Sequence, residues 1–165
     1  MNARFPPASA PSELRRRSIV KFLNEELATT LMSVLRARRH HFLCAYLGGD
    51  RGLAASDELL RHAQKEMVHA DLVVARIIQL QGRPDFGMGG LAERGHIDCQ
   101  VSGSLSGMLK EDLLAQRLAV DAHGRTARFI GGNDPTTRKL FESLGAQGEE
   151  QARVLETFLA RLVDD

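Results

Sequence analysis

Glu66 and His69 stand three residues apart in a stretch whose apolar residues recur at helical spacing. Leu59, His62, Glu66, His69, Val73, Ile77 and Leu80 follow alternating steps of three and four, so they fall on one stripe of a helix. The stripe is otherwise apolar, which predicts a carboxylate and imidazoles inside a seam between helices. A buried carboxylate without a partner costs on the order of several kcal/mol, so Glu66 needs one. Two chemistries supply it. Glu-x-x-His projects both side chains from the same side of a helix, the geometry of a metal-ligand pair in di-iron helical bundles. Alternatively, His62 and His69 satisfy Glu66 by hydrogen bonding, with no metal.

Positioning such a pair takes long helices, and the chain has four periodic segments. The first covers residues 12–46 or 18–46, with Leu23, Leu27, Leu31, Val34 and Phe42 near helical spacing, and the Gly48-Gly49-Asp50-Arg51-Gly52 stretch is expected to stop it. The second opens on Ser56 as an N-cap, with Asp57 and Glu58 in its first turn, and ends near Gln81, before Gly82 and Pro84. The third covers residues 104–130 and stops at Gly131-Gly132. The fourth takes Asp134 as N-cap and Pro135 as its first helical residue, and continues to the C-terminus. The first and third links are short, so each joins antiparallel neighbours. The middle link, of about 22 residues, reaches roughly 70 Å when extended, whereas a helix of about 26 residues is roughly 40 Å long. This connectivity predicts an all-α fold: a ferritin-like four-helix bundle with a long crossover between helices 2 and 3. Residues 13–165 form the bundle, and residues 1–12, with Pro6, Pro7 and Pro11, form a flexible arm.

Composition narrows the function classes. A chain of 165 residues with 43% apolar and 26% charged residues suits one soluble domain. A net charge of +1 argues against nucleic acid or a membrane surface as partner. The start lacks the apolar core of a secretory signal, and Cys44 and Cys99 form no disulfide or metal framework, so a cytoplasmic protein is expected. Arg36, Arg38, Arg39, His40 and His41, with Arg15-Arg16-Arg17, read as a solvated or interface face. His123 reads as a satisfied core histidine.

Glu66-Met67-Val68-His69-Ala70-Asp71, followed by Arg76-Ile77-Ile78-Gln79-Leu80-Gln81-Gly82-Arg83-Pro84, resembles the second helix of bacterioferritins. Leu23-Asn24, Met108-Leu109-Lys110-Glu111-Asp112-Leu113 and Leu155-Glu156-Thr157 fit the same family, from about Val20 to Leu162. The resemblance implies a subunit that stores or detoxifies intracellular iron, with a di-iron ferroxidase centre. Carried over residue by residue, only Glu66 and His69 of that centre remain. Thr30 stands where the family has a carboxylate on helix 1, and Gln116 where helix 3 supplies a bridging carboxylate. Gly148 and Gln151 stand where helix 4 repeats Glu-x-x-His.

Two dications about 4 Å apart repel several-fold more than the ~4 kcal/mol of a unit-charge pair at an effective dielectric of 20. One carboxylate does not offset that, so at most one weakly held iron is expected at Glu66 and His69. Thr30, Gln116 and Gln151 would then close a polar network around them. Met67 reads on its own as a packing methionine, on a stripe with Leu60, Ala63, Ala70 and Val74. By resemblance it matches the axial ligand of a haem b shared with its copy across a two-fold dimer. The sequence ends at Asp165, where the family carries a short fifth helix, which implies an incomplete shell or a wider four-fold pore.

The expected function is therefore a bacterioferritin-like subunit with an impaired ferroxidase centre, in a homo-oligomer containing at least a two-fold dimer or in a mixed shell with a competent bacterioferritin subunit. The alternatives are a slow mononuclear-iron ferroxidase and a metal-free ferritin-like scaffold for interaction or DNA protection.

Overall fold

A computed structural model describes residues 13–47, 49–87, 90–94 and 103–163. Four long helices dominate it: α1 (Glu13–Leu47), α2 (Gly49–Gln79), α4 (Leu105–Ile130) and α5 (Pro135–Val163). A single turn, α3 (Leu91–Arg94), lies in the long link, and a 3-10 turn (Gly131–Asn133) joins α4 to α5. No strand occurs among the described residues, and none of the described helices is long and apolar enough to cross a membrane. The N-terminal arm and Cys99 lie outside the described residues.

Most helix ends follow from local chemistry. The Ser104 hydroxyl accepts from the Gly107 amide at 3.1 Å and caps α4. The Asp134 carboxylate accepts from the Thr137 amide at 3.0 Å and caps α5, with Pro135 in the first turn. At the end of α2, Gln81 takes a φ of 56°. There the Gly82 and Gln81 amides donate to the Ile77 and Ile78 carbonyls at 2.9 and 2.8 Å, a Schellman closure.

The start of α2 departs from the sequence expectation. α1 ends at Leu47, and α2 already begins at Gly49, whose φ is 52°. Gly52 then lies inside the helix, where a Cβ would sit 2.3 Å from the Cys44 carbonyl oxygen. Its bare Cα lets the α2 backbone touch that of α1. Ser56 is likewise internal; its hydroxyl and carbonyl oxygens lie 2.8 and 3.0 Å from His41 Nδ1 instead of capping the helix. Phe42 points outward, 61% exposed, beneath the Arg38 guanidinium.

Side-chain pairs give the helix directions. Arg16 reaches the Leu80 carbonyl and Ser33 meets His62, so α1 and α2 are antiparallel. Glu26 meets His123 and Arg36 meets Asp112, so α1 and α4 are antiparallel. His69 meets Gln147 and Arg76 meets Thr137, so α2 and α5 are antiparallel. The end of α2 therefore lies beside the start of α1. Leu105, at the start of α4, packs with Cys44, Leu59 and Leu155 at the other end. The link between them crosses the length of the bundle, as its reach predicts, and on the way Leu91 packs against Ala28 and Met32 of α1.

Two apolar clusters close the bundle at its ends. One gathers Ile19, Leu23, Leu27, Val73, Ile77, Ile130, Phe141 and Leu144. The other gathers Cys44, Ala55, Leu59, Met108, Leu109 and Leu155. Between them the interior is polar.

Gly52→Ala is expected to lower stability by about 1–3 kcal/mol, because its Cβ meets backbone that cannot swing aside. Gly82→Ala, whose Cβ meets the Val20 side chain at 2.7 Å, is expected to cost less. Urea midpoints of the two variants check the order.

Candidate metal centre

The polar waist draws one inward stripe from each helix, and the α2 stripe falls as its spacing predicts. Leu59, His62, His69, Val73, Ile77 and Leu80 are buried, and the Glu66 side chain keeps 12% of its surface exposed. His69 Nδ1 lies 3.2 Å from Glu66 Oε1, while His62 Nδ1 lies 4.0 Å from the same oxygen. His62 instead faces Ser33 Oγ at 3.4 Å. Burial pushes the His62 imidazole below its ordinary range, and the Glu66 charge opposes this only in part. Burial acts on His69 in the same sense, but its bonds to Glu66 and Gln147 and the charges of Glu66 and Glu26 outweigh it and hold His69 above that range.

Gln147 of α5 is a site residue that the sequence reading missed. Its Oε1 lies 2.8 Å from His69 Nε2, and its amide nitrogen donates to the Ser143 hydroxyl and carbonyl oxygens at 3.1 and 3.4 Å. A narrow pocket of about 90 Å³ opens between α2 and α5 onto His62, Glu66, His69, Gln147 and Gln151, with Lys65 and Glu150 also lining it. The Gln151 amide nitrogen is buried there without a hydrogen-bond partner.

Glu26 is a second carboxylate of the waist, one that the sequence reading did not single out. It lies one turn before Thr30, is buried, accepts from the Thr30 hydroxyl at 3.1 Å and stands 3.0 Å from His123 Nε2. Burial pushes its carboxyl up, but the charge and hydrogen bond of His123, with the Thr30 hydroxyl, bring it below the ordinary carboxylate range. Burial lowers His123, and the Glu26 charge and bond more than reverse that. His123 is thus a core histidine, as expected, with Glu26 against its Nε2, but its buried Nδ1 has no hydrogen-bond partner among the described residues, which corrects the expectation that it is satisfied.

Further along, the basic cluster of α1 divides. Arg36 and His40 are buried, which corrects their reading as part of an outer face. Arg36 Nε donates to Asp112 Oδ1 at 2.7 Å and His40 Nδ1 lies 2.7 Å from Oδ2. Burial raises the Asp112 carboxyl, and the His40 bond with the Arg36 charge overcomes this and lowers it. The nearby Cys44 thiol is pushed up to about 11 by burial and by the Asp112 charge.

The remaining candidate positions do not join into a ligand set. Thr30 serves Glu26. Gln116 and Val120 occupy the space above Gly148, where a Cβ would meet them at 2.8 and 2.7 Å. Met67 stands 45% exposed on the outer side of α2, near the exposed Val68 and Leu72. Among the described residues no group of three or more His, Cys, Asp or Glu side chains is arranged to hold a metal ion.

Residues 20–163 match the Ferritin family, described as a ferritin-like domain. The chain is 27% identical over 143 residues to the bacterioferritin of Streptomyces coelicolor, a match covering 86% of this chain and 79% of that protein. The dodecameric thioferritin of Bacteroides fragilis, a bacterioferritin-related protein, has the same fold, with a TM-score of 0.83 at 22% identity over 90% of this chain and 88% of that one. Rhodobacter capsulatus bacterioferritin, with a metal-free dinuclear site and a heme iron in a crystallographic special position, gives a TM-score of 0.76 at 23% identity over 87% and 84%.

The Glu26–His123 pair has a pH signature. A lowered Glu26 contributes stability above its ordinary 4.5 and loses it as pH falls through the folded value. A raised His123 contributes below its ordinary 6.5 and loses it as pH rises through the folded value. Glu26→Gln is therefore expected to cost most between those two values, roughly 3–5 kcal/mol for breaking a buried pair. Urea unfolding of both proteins from acid to mildly basic pH checks this, and a deficit independent of pH would contradict it.

Proposed function

The chain belongs to the ferritin-like family, and from that premise we propose that it is a bacterioferritin-like subunit for iron storage or detoxification whose own ferroxidase centre is impaired. Iron storage is the family-level function; the finer reading rests on the interior. The observation that carries it is that the two buried carboxylates of the waist are already engaged by side chains: Glu26 by His123 and Thr30, and Asp112 by Arg36 and His40. Among the described residues, Glu66, at the pocket, meets His69 and, more distantly, His62.

Iron is the cargo here, and the donors fit one ion better than two. Glu66 Oε1 and His69 Nδ1 are 3.2 Å apart, a span two donors can make to a single cation at roughly 2.1 Å each. A second ion would need carboxylates at positions occupied by Thr30, Gln116 and Gly148. The subunit would then work in a homo-oligomer or beside a competent bacterioferritin subunit in a mixed shell. Haem b, if bound, would be held by the exposed Met67 thioether of each of two copies, which supplies an axial ligand type known for haem. The burial of Arg36 and His40 removes two basic side chains from any DNA-facing patch, which weighs against a DNA-protecting scaffold.

Protein purified from iron-replete cells is expected to show a native mass well above a dimer, iron bound to the assembly and a Soret band. A small dimer with neither iron nor a Soret band would overturn the storage and haem readings together.

The Glu66–His69 pair at the mouth of a pocket also favours a second reading, slow oxidation of Fe(II) at a mononuclear site. Stopped-flow oxidation under air is then expected to be faster for the wild type than for Glu66→Ala. Equal rates would remove it.

A further inference from the structure

We propose that Gln147 is a positioning residue that holds the His69 ring so that Nδ1 and Glu66 Oε1 form the donor pair for a single divalent cation, an inference that rests on the mononuclear site proposed above. The Gln147 amide can be oriented from its own contacts. Its nitrogen lies 3.4 Å from the Ser143 carbonyl oxygen, which can only accept, and 3.1 Å from the Ser143 hydroxyl. Its oxygen is therefore the atom that faces His69 Nε2 at 2.8 Å. An amide oxygen donates nothing, so the His69 Nε2 must carry a proton. A carboxylate oxygen likewise only accepts, so Nδ1 donates to Glu66 Oε1 at 3.2 Å, and a cation bound between them would displace that Nδ1 proton while Nε2 keeps its own.

Without Gln147 the imidazole could rotate or take its other tautomer, and the oxygen–nitrogen pair would be lost. A ligating histidine tied through its second nitrogen in this way is the usual outer-shell arrangement of metal sites. Here the tie comes from a neutral amide on the facing helix, one turn before the buried Gln151. Gln147 is itself exposed, so changing it leaves the core packing in place.

Co2+ binding to the full chain tests the proposal, read by titration of its visible absorption for wild type, Gln147→Ala, Gln147→Glu and Glu66→Ala. Gln147→Ala is expected to weaken Co2+ by roughly 10–100-fold, the usual cost of losing an outer-shell partner, whereas Gln147→Glu keeps an acceptor oxygen and recovers that loss. In long-range proton–nitrogen spectra of the Zn2+-loaded wild type, His69 is expected to be protonated at Nε2 and metal-bound at Nδ1, and Gln147→Ala is expected to lose this single signature. Glu66→Ala separates the two layers. If it abolishes Co2+ binding while Gln147→Ala binds like wild type, the positioning role is wrong and the mononuclear site stands. If Glu66→Ala binds like wild type, the donor pair is wrong and the role of Gln147 falls with it. Failure of Gln147→Glu to recover affinity, or an unchanged His69 signature in Gln147→Ala, would also overturn the assignment.

Discussion

Carboxylates inside a bundle must be compensated where they lie, because the interior offers little solvation to replace water. Glu26 and Asp112 sit between two apolar clusters, each held against a basic side chain from another helix. The partners cross helix interfaces, and this does more than settle charge. Apolar clusters at the two ends of a bundle tolerate small slips along the axis. An arginine on a buried aspartate, or an imidazole on a buried glutamate, does not, since a slip of one turn would leave both ions unpaired. The ion pairs between α1 and α4 and the Arg76–Asp134 pair between α2 and α5 therefore fix the vertical register of the four helices.

In a dinuclear carboxylate site the same problem is solved by metal charge. Here imidazole and guanidinium groups stand at comparable depth and belong to the chain itself. At Gly148 the absence of a side chain makes room for Gln116 and Val120. The Thr30 hydroxyl turns back along its own helix to Glu26. The interior reads as a set of local neutralisations, with the Glu66–His69 pair left nearest to a pocket and with the least engaged carboxylate of the three.

Much of this was legible in the sequence. The α2 stripe, the N-cap Asp134 and the long crossover follow from periodicity, capping chemistry and reach. Glu26 carried a readable signal too: Leu23, Glu26, Thr30, Ser33, Ala37, His40 and Cys44 follow the same alternating steps of three and four and are all buried. That stripe marks Arg36's neighbour His40 as an inward residue, whereas a count of adjacent basic residues made it part of a surface. Gln147 was not legible, because an exposed glutamine gains meaning only from the helix facing it. Nor was the early restart of α2, since glycines that usually end a helix serve here as a tight turn and as a place for two backbones to touch. Phe42 matched the spacing but not the face, and lies outside under Arg38.

The burial of Cys44 has a practical consequence. Its thiol is shut in the end cluster with residues of α2, α4 and α5 and is a poor nucleophile at neutral pH. A maleimide or disulfide reagent can reach it only when that end of the bundle opens. The rate at which Cys44 is labelled therefore clocks the opening of that end of the bundle, and comparing it with the global unfolding rate tells whether the polar waist lets the two ends breathe separately.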